Sequence, residues 1–181
     1  MFVDIKYSLP LTMTFNQKIS AYTLGLLTVK DLSDIAMTAL EEGKDSESLR
    51  MLAGQNASCN AFQVLDYFSS TLKELNMKLP DQKAALLDVL KYLVRRIVDK
   101  QSDPYPQFEK INEIVSRTEY DLEQLNLMDC YVLYICIWEV KGDGLQLQGT
   151  SMTKEEYILK TTNELVAYLS DWLNEASNGK N

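Results

Sequence analysis

Apolar residues recur at intervals of three and four along most of this 181-residue chain. That spacing is the period of an α-helix that buries one face, whereas a half-buried strand would alternate. In the clearest case Pro80 separates two such helices, and Asp81 is placed to cap the second. The predicted inward residues of that helix are Ala84, Leu87, Leu90, Leu93, Val94 and Ile97. The pattern predicts an all-α fold, an irregular multi-helix bundle of about seven or eight helices.

Capping residues predict where the helices begin and end. An oxygen-bearing side chain at a helix start accepts hydrogen bonds from free backbone N–H groups, and Gly43 is placed to end a helix in the left-handed conformation. The predicted starts and ends are Thr14, Thr28 with Asp31, Gly43, Asp45 or Ser46, Gly54, Asp103 with Pro104, and Thr153 with Glu156. Each helix is predicted to bury a stripe of apolar residues. The predicted buried residues are Phe62, Leu65, Phe68, Leu72 and Leu75 in the fourth helix, Phe108, Ile111, Ile114 and Val115 in the sixth, and Leu165, Leu169 and Trp172 in the last.

We expect one helical domain, because the length and the 46% hydrophobic content suit a single buried core. The domain would cover 1–181, with an extended N-terminal segment over 1–13, a loop over 141–152 and a frayed tail over 177–181. Successive helix pairs stacked as in an α-solenoid are an open alternative to a compact bundle.

The segment from Asp129 to Val140 is ambiguous, because it is rich in β-formers and apolar on all sides. We predict a central buried helix that begins near Asp121 or Asp129, since a lone strand would leave its backbone groups unpaired. A strand is the alternative. The alternation of Val3, Ile5 and Tyr7 would also permit a short edge strand.

Charge and hydropathy exclude some classes of function. The net charge is −8 and the pI is about 4.6, which disfavours nucleic acid as a partner because phosphates are bound by Lys and Arg. The longest apolar run, Cys130 to Trp138, is about half of the roughly 20 residues that a membrane-spanning helix needs. The first residues lack the basic start of a secretory signal. We therefore predict a cytoplasmic protein that does not enter membranes.

The chain contains no histidine. This removes histidine acid–base catalysis, Ser–His and Cys–His nucleophiles, and imidazole metal ligands. Cys59, Cys130 and Cys136 are too widely spaced for a metal clip and are predicted to be reduced core thiols. We predict no catalytic residue, no cofactor and no metal.

Carboxylates are the remaining candidates for chemistry. Glu109 and Glu113 lie one helical turn apart, and Glu119, Asp121 and Glu123 form a cluster. Acids at such spacing usually form a solvated helix face, so we favour that interpretation over a carboxylate-dependent hydrolase.

A basic patch is formed by Lys91, Arg95, Arg96 and Lys100. It could hold a phosphate or an acidic peptide. Cations at the C-terminal end of a helix are favoured by the helix dipole, which is a sufficient structural reason for the patch.

Three stretches resemble a group of small, mostly uncharacterised bacterial proteins. They are Ala39–Gly54, Ile97–Tyr105 and the aromatic run that ends at Trp138 and Glu139. The resemblance implies an all-helical cytoplasmic protein whose shared residues are turn and packing positions. In size, acidity and lack of catalytic motif these proteins are similar to immunity proteins of bacterial toxin systems.

We accordingly predict a non-enzymatic protein that binds another protein, as an immunity or antitoxin-like inhibitor that covers the active site of a basic toxin. Its predicted contacts are Glu119, Asp121, Glu123 and Trp138, although core packing is the alternative for Trp138. A helical scaffold or accessory module of a bacterial assembly is the second hypothesis. A carboxylate-dependent hydrolase is the third.

Overall fold

A computed structural model describes residues 12–55, 60–142 and 152–178. Within these ranges the chain forms α-helices and no strand, which confirms the predicted all-α bundle. The helices are α1 Phe15–Thr23, α2 Leu32–Glu41, α3 Glu47–Ala53, α4 Ala61–Glu74, α5 Gln82–Val98, α6 Pro104–Val115, α7 Met128–Lys141 and α8 Lys154–Ser177. No helix among the described residues is long and apolar enough to cross a membrane. The proposed strand at Val3, Ile5 and Tyr7 lies outside the described residues.

The chain divides into two compact units, Met1–Val89 and Leu90–Asn181. One helix, α5, carries the backbone from the first unit into the second. That the whole chain acts as one domain stays a prediction.

In the first unit α2 packs against α1 and α3, and α3 packs against α4. Thr14 closes a capping box on α1, and Thr28 with Asp31 closes another on a short 3-10 turn that leads into α2. Both boxes confirm the predicted helix starts. Gly43 follows α2 with a φ of 80°, the left-handed conformation predicted for it. The buried core is made by Phe15, Ile19, Leu32, Ile35, Ala36, Ala39, Leu49, Leu52, Val64 and Phe68.

Polar side chains also tie the helices of this unit together. Lys18 is 5% exposed, and its Nζ donates hydrogen bonds to Asp34 Oδ2 and Thr38 Oγ1 of α2. Such pairing offsets the cost of burying an ammonium group. The Ser48 hydroxyl and backbone N–H donate to Glu74 at 2.6 and 2.9 Å, which joins α3 to α4 and lowers the pKa of that carboxyl.

The stripes of buried residues predicted for α4 and α5 are partly wrong. On α4 the buried residues include Val64 and Phe68, whereas Phe62 is 78% exposed and Leu65 is 37% exposed. On α5 Ala84 is exposed and Leu87 only half-buried. The buried residues of α5 are Ala85, Leu86, Val89, Leu90, Tyr92, Leu93, Val94 and Ile97. They cover roughly 200° of the helix circumference, so the buried arc is wider than one stripe and is centred away from Ala84.

The second unit is built from α6, α7 and α8, each of which packs against the other two. Asp103 caps α6 by accepting from Tyr105 N at 3.0 Å, and Pro104 opens the helix, as predicted. Thr153 and Glu156 form the predicted capping box of α8. The stripes predicted for α6 and α8 are buried.

The ambiguous segment is the helix α7, and the strand alternative is wrong. It begins at Met128, close to the predicted start at Asp129. The expected burial on all sides is also wrong, because the buried residues Cys130, Tyr134, Ile137 and Val140 occupy one side of the helix. Helices α6 and α8 cover that side.

Candidate functional site

The side of α7 opposite its buried residues carries large apolar side chains. Met128 is 42% exposed, Val132 53% and Trp138 57%, while Tyr131 and Ile135 are half-buried. Positions three and four residues apart lie on the same side of a helix. These five residues therefore form one surface, called the α7 face below, which extends over about 15 Å of helix length.

An apolar face of this kind requires a physical reason. Apolar residues exposed singly are normal on protein surfaces. A contiguous apolar patch, by contrast, marks a site of interaction, and a helix that is apolar all round is ordinarily buried all round. The α7 face has these features in large part, since its residues are spaced three and four apart on a helix whose other side is already packed. Glu139, four residues after Ile135, adds an acid to the same side.

Aromatic stacking holds one edge of the α7 face in place. Tyr134 stacks on Tyr105 of α6 with ring centroids 5.0 Å apart, and Tyr131 stacks on Tyr134 at 6.2 Å. Phe108 packs against Tyr134 from beneath the same row at 5.6 Å. Trp138 follows Tyr134 by one helical turn and lies beside this edge of the helix. Side chains that are ordered before binding lose less entropy when a partner covers them.

The ionisable groups on the packed side of α7 are held neutral. Burial raises the pKa of the Cys130 thiol to about 12, with a further contribution from the charge of Asp129. Burial and the hydrogen bond with Tyr105 raise the pKa of Tyr134 above its ordinary value. Burial also raises the pKa of Tyr157 on α8, where Cys136 is the next cause. None of these groups is suited to proton transfer near neutral pH.

The cysteine predictions have different outcomes. Cys130 is free and buried, as predicted, but Cys136 is free and only half-buried, so it is not a core thiol. Cys59 lies outside the described residues.

The predicted acids Glu119, Asp121 and Glu123 are all exposed, in the turn that leads into α7. Asp121 has a structural role, because its Oδ1 accepts from Gln124 N at 2.8 Å while its own N–H donates to Gln124 Oε1 at 3.2 Å. No hydrogen bond or ion pair of the Glu119 or Glu123 carboxylate is seen within the described part of the chain.

The three acids lie at a distance along the chain from the predicted aromatic contact. They precede the first residue of α7, whereas Trp138 lies in the last turns of that helix, about 15 Å farther along its axis. The core-packing alternative for Trp138 is wrong, because more than half of its side chain is exposed.

Other predicted clusters have local structural roles. Glu113 of α6 pairs at 2.7 Å with Arg117, which follows the end of that helix. Arg96 of the basic patch donates to Ser102 Oγ at 3.0 Å and to the Tyr92 hydroxyl at 3.3 Å. The helix-dipole interpretation of the whole patch stays a prediction. Among the described residues no group of three or more His, Cys, Asp or Glu side chains could hold a metal ion.

The second unit also contains a groove that was not predicted from the sequence. A groove of about 730 Å³ lies between the end of α5, the start of α6, the end of α7 and one side of α8. We call it the α8 groove. Its lining includes Ile97, Tyr105, Lys141, Ile158 and Leu159. Periodicity could not reveal it, since it combines residues from four helices and periodicity describes one helix at a time.

Comparisons with known proteins do not assign the chain to a group. No family model matches it, and neither a curated protein nor a solved structure does. The resemblance to small bacterial helical proteins therefore stays a prediction from the three stretches quoted above.

Proposed function

We propose that this chain is a non-enzymatic protein-binding protein, of the immunity or antitoxin type, that inhibits a bacterial toxin by covering its active site. The observation that carries the proposal is the α7 face, where Trp138 is 57% exposed beside Val132 and Met128. Tryptophan and tyrosine are the residues most enriched among those that dominate binding energy at protein interfaces.

The chemistry of the surface agrees with a basic partner. The net charge of −8 creates a field that attracts cationic proteins and speeds their association. Glu119 and Glu123 are exposed next to the start of α7 and are not engaged with other described residues. Steric occlusion requires no catalytic group, which suits a chain without histidine.

The first experiment is capture of the partner by the tagged full chain from lysate of its native host, with mass spectrometry and light scattering of the complex. We expect one partner at one-to-one stoichiometry that is lost with Trp138→Ala. Phe62→Ala is the matched control, because Phe62 is an even more exposed aromatic residue on α4, outside the α7 face. A partner that is retained by Trp138→Ala would contradict the proposed contact surface.

The captured partner then tests inhibition itself. Its activity, or its toxicity when expressed in cells, should fall in the presence of this chain and return with Trp138→Ala. If the complex leaves the partner fully active, the inhibitor proposal is wrong. Self-association or the capture of several proteins would favour the scaffold alternative.

The role of Glu119 and Glu123 is tested by measuring the rate at which the captured partner associates with the chain. We expect the double variant Glu119→Lys/Glu123→Lys to slow association at low salt by about tenfold or more. Asp121 is left unchanged because it caps the turn. The control Glu41→Lys/Asp66→Lys changes the net charge equally at exposed positions of the first unit. Equal rates for the two variants would show that Glu119 and Glu123 have no special role.

A further inference from the structure

One charged residue lies among the apolar side chains on the exposed side of α7. Glu139 follows Ile135 by four residues and Val132 by seven, so it lies on the side of the helix that carries the α7 face. Glu139 is half-buried and forms no hydrogen bond or ion pair with another residue in the described ranges. A carboxylate that is partly withdrawn from water and has no cation beside it is unfavourable in the free protein.

The position of Glu139 within α7 is also unfavourable. It is the third residue from the end of the helix, where the helix dipole favours cations over acids. Lys141, the cation of that turn, is held 4.0 Å from the centroid of the Tyr105 ring. Two residues along a helix are separated by about 200° around its axis, so Lys141 does not lie beside Glu139. A cation supplied from outside the helix would stabilise this acid on both counts.

The chain around the α7 face repeats the charge of Glu139. From Thr118 to Val140 the sequence contains no Lys or Arg and the following acids: Glu119, Asp121, Glu123, Asp129 and Glu139. The helix dipole favours Asp129, which lies in the first turn of α7, but not Glu139. An apolar surface with an unpaired acid is complementary to a surface that is apolar and positively charged.

A second copy of the chain and a membrane fit this surface less well. In a two-fold dimer the same surface meets itself, so the acids around one α7 face would meet those around the other and oppose binding. Exposed tryptophan also occurs on helices that lie at a membrane surface, but these helices carry Lys and Arg on their polar side. Acids such as Asp129 and Glu139 would be repelled by anionic lipids.

The dimensions of the α7 face suit a single helix of a partner. The face comprises five residues, whereas one side of a standard protein interface has about 20–30. It thus has room for one element. Its residues recur at intervals of three and four over about 15 Å, and ridges with this spacing pack into the grooves of a second helix. Three turns of a partner helix, about 10 residues, would cover that length.

We propose that the α7 face receives one amphipathic helix of the partner protein, which packs apolar residues against Val132, Ile135 and Trp138 and places an arginine or lysine against Glu139. Arginine suits the position best, because a guanidinium pairs with a carboxylate and also stacks on an aromatic ring such as that of Trp138. The inference rests on the proposed function, since it takes the α7 face to be the contact surface for that partner.

Two synthetic helical peptides of about 18 residues test the charge preference by calorimetric titration of the full chain. Both carry leucine at every third and fourth position, and the positions beside this stripe are lysine in one peptide and glutamate in the other. We expect one-to-one binding of the lysine peptide, at least about tenfold tighter than that of the glutamate peptide. A lysine peptide with a central proline should bind at least about tenfold more weakly, because proline breaks the helix.

Glu139→Lys should reduce the preference for the lysine peptide by about tenfold or more. The variant should fold, since the helix dipole favours a cation there. Glu175→Lys is the matched control, because Glu175 is an exposed glutamate that is also the third residue from the end of its helix, α8. Equal binding of the two charged peptides, unweakened binding of the proline peptide, or equal effects of the two substitutions would overturn the proposal.

The alternative occupants are tested with the chain alone. Binding to vesicles of phosphatidylserine and phosphatidylcholine that is lost with Trp138→Ala would assign the α7 face to a membrane. A dimer, seen by light scattering, that Trp138→Ala dissociates would assign it to a second copy. Either result would overturn the proposal.

The captured partner separates this inference from the proposed function. Hydrogen exchange of the complex should show protection of a partner helix that carries arginine or lysine, and Glu139→Lys should weaken the complex about tenfold or more relative to Glu175→Lys. A partner that is lost with Trp138→Ala but is protected in a loop or strand, or is indifferent to Glu139→Lys, would overturn the helix and leave the proposed function standing. A partner retained by Trp138→Ala would overturn both.

Discussion

Helices α5 and α7 are both rich in apolar residues, but they use them differently. In α5, 17 residues long, the apolar side chains lie mainly on the buried arc, and Lys91 and Arg95 lie on the opposite side. In α7, 14 residues long, apolar side chains lie on both sides and only one side is buried. Periodicity predicts the buried face when polar residues mark the other one. A helix without a polar face exposes whatever its neighbours leave uncovered.

The sharpest contrast within α7 concerns its two cysteines. Cys130 has a pKa raised from 9.0 to about 12, so at pH 8 its thiolate fraction should be about a thousandfold below that of an ordinary thiol. In a Cys59→Ser background, we expect maleimide to modify Cys136 first, because it is half-exposed while Cys130 is buried. Mass spectrometry of peptides measures both sites. Equal rates of modification at Cys130 and Cys136 would mean that the packed side of α7 opens readily.

The raised pKa of Cys130 also has a consequence for stability. The fold favours the neutral thiol, so deprotonation of Cys130 destabilises the folded state. The stabilisation that the neutral thiol contributes to the free energy of unfolding is therefore complete below pH 9 and is lost as the pH rises toward 12. Cys130→Ala should remove that part of the pH dependence, which urea unfolding over this range measures.

The packed sides of α5 and α7 should respond alike to truncation. Leu93 and Ile137 are 1% and 0% exposed, and replacement by alanine leaves a cavity. We expect Leu93→Ala and Ile137→Ala each to lower the free energy of unfolding by about 2–5 kcal/mol. Urea unfolding monitored by circular dichroism gives both values. A loss below about 1 kcal/mol for Ile137 would remove the distinction between the two sides of α7.

The two tryptophans allow the same comparison of a buried with an exposed position, with a smaller expected change in the free energy of unfolding. Trp172 is 3% exposed, and its Nε1 donates to the Leu125 carbonyl at 2.7 Å. Trp172→Phe should cost about 1–3 kcal/mol, because a buried carbonyl loses its donor. Trp138→Phe should change the free energy of unfolding by less than about 0.5 kcal/mol. If the two substitutions cost the same, Trp138 is packed and cannot serve as an exposed contact.

These elements show which parts of the structure local chemistry predicts. The caps at Thr14, Asp103 and Thr153 were found because a side chain and a backbone N–H a few residues away make the contact. The exposure of Trp138 was not predicted, because it depends on which side of α7 packs against α6 and α8. The role of Asp121 was missed for a simpler reason, since its partner Gln124 could have been recognised by spacing.

The smallest expected effect concerns Val132 on the α7 face. Val132 is 53% exposed, so truncation removes little buried surface, and alanine has the higher helix propensity of the two residues. Val132→Ala should therefore leave the free energy of unfolding unchanged or raise it, within about 0.5 kcal/mol. The same urea experiment measures it, beside Ile137→Ala as the reference for a packed position. A loss above about 1 kcal/mol would mean that this face is already covered in the free protein, and a protein partner could then reach it only by displacing what covers it.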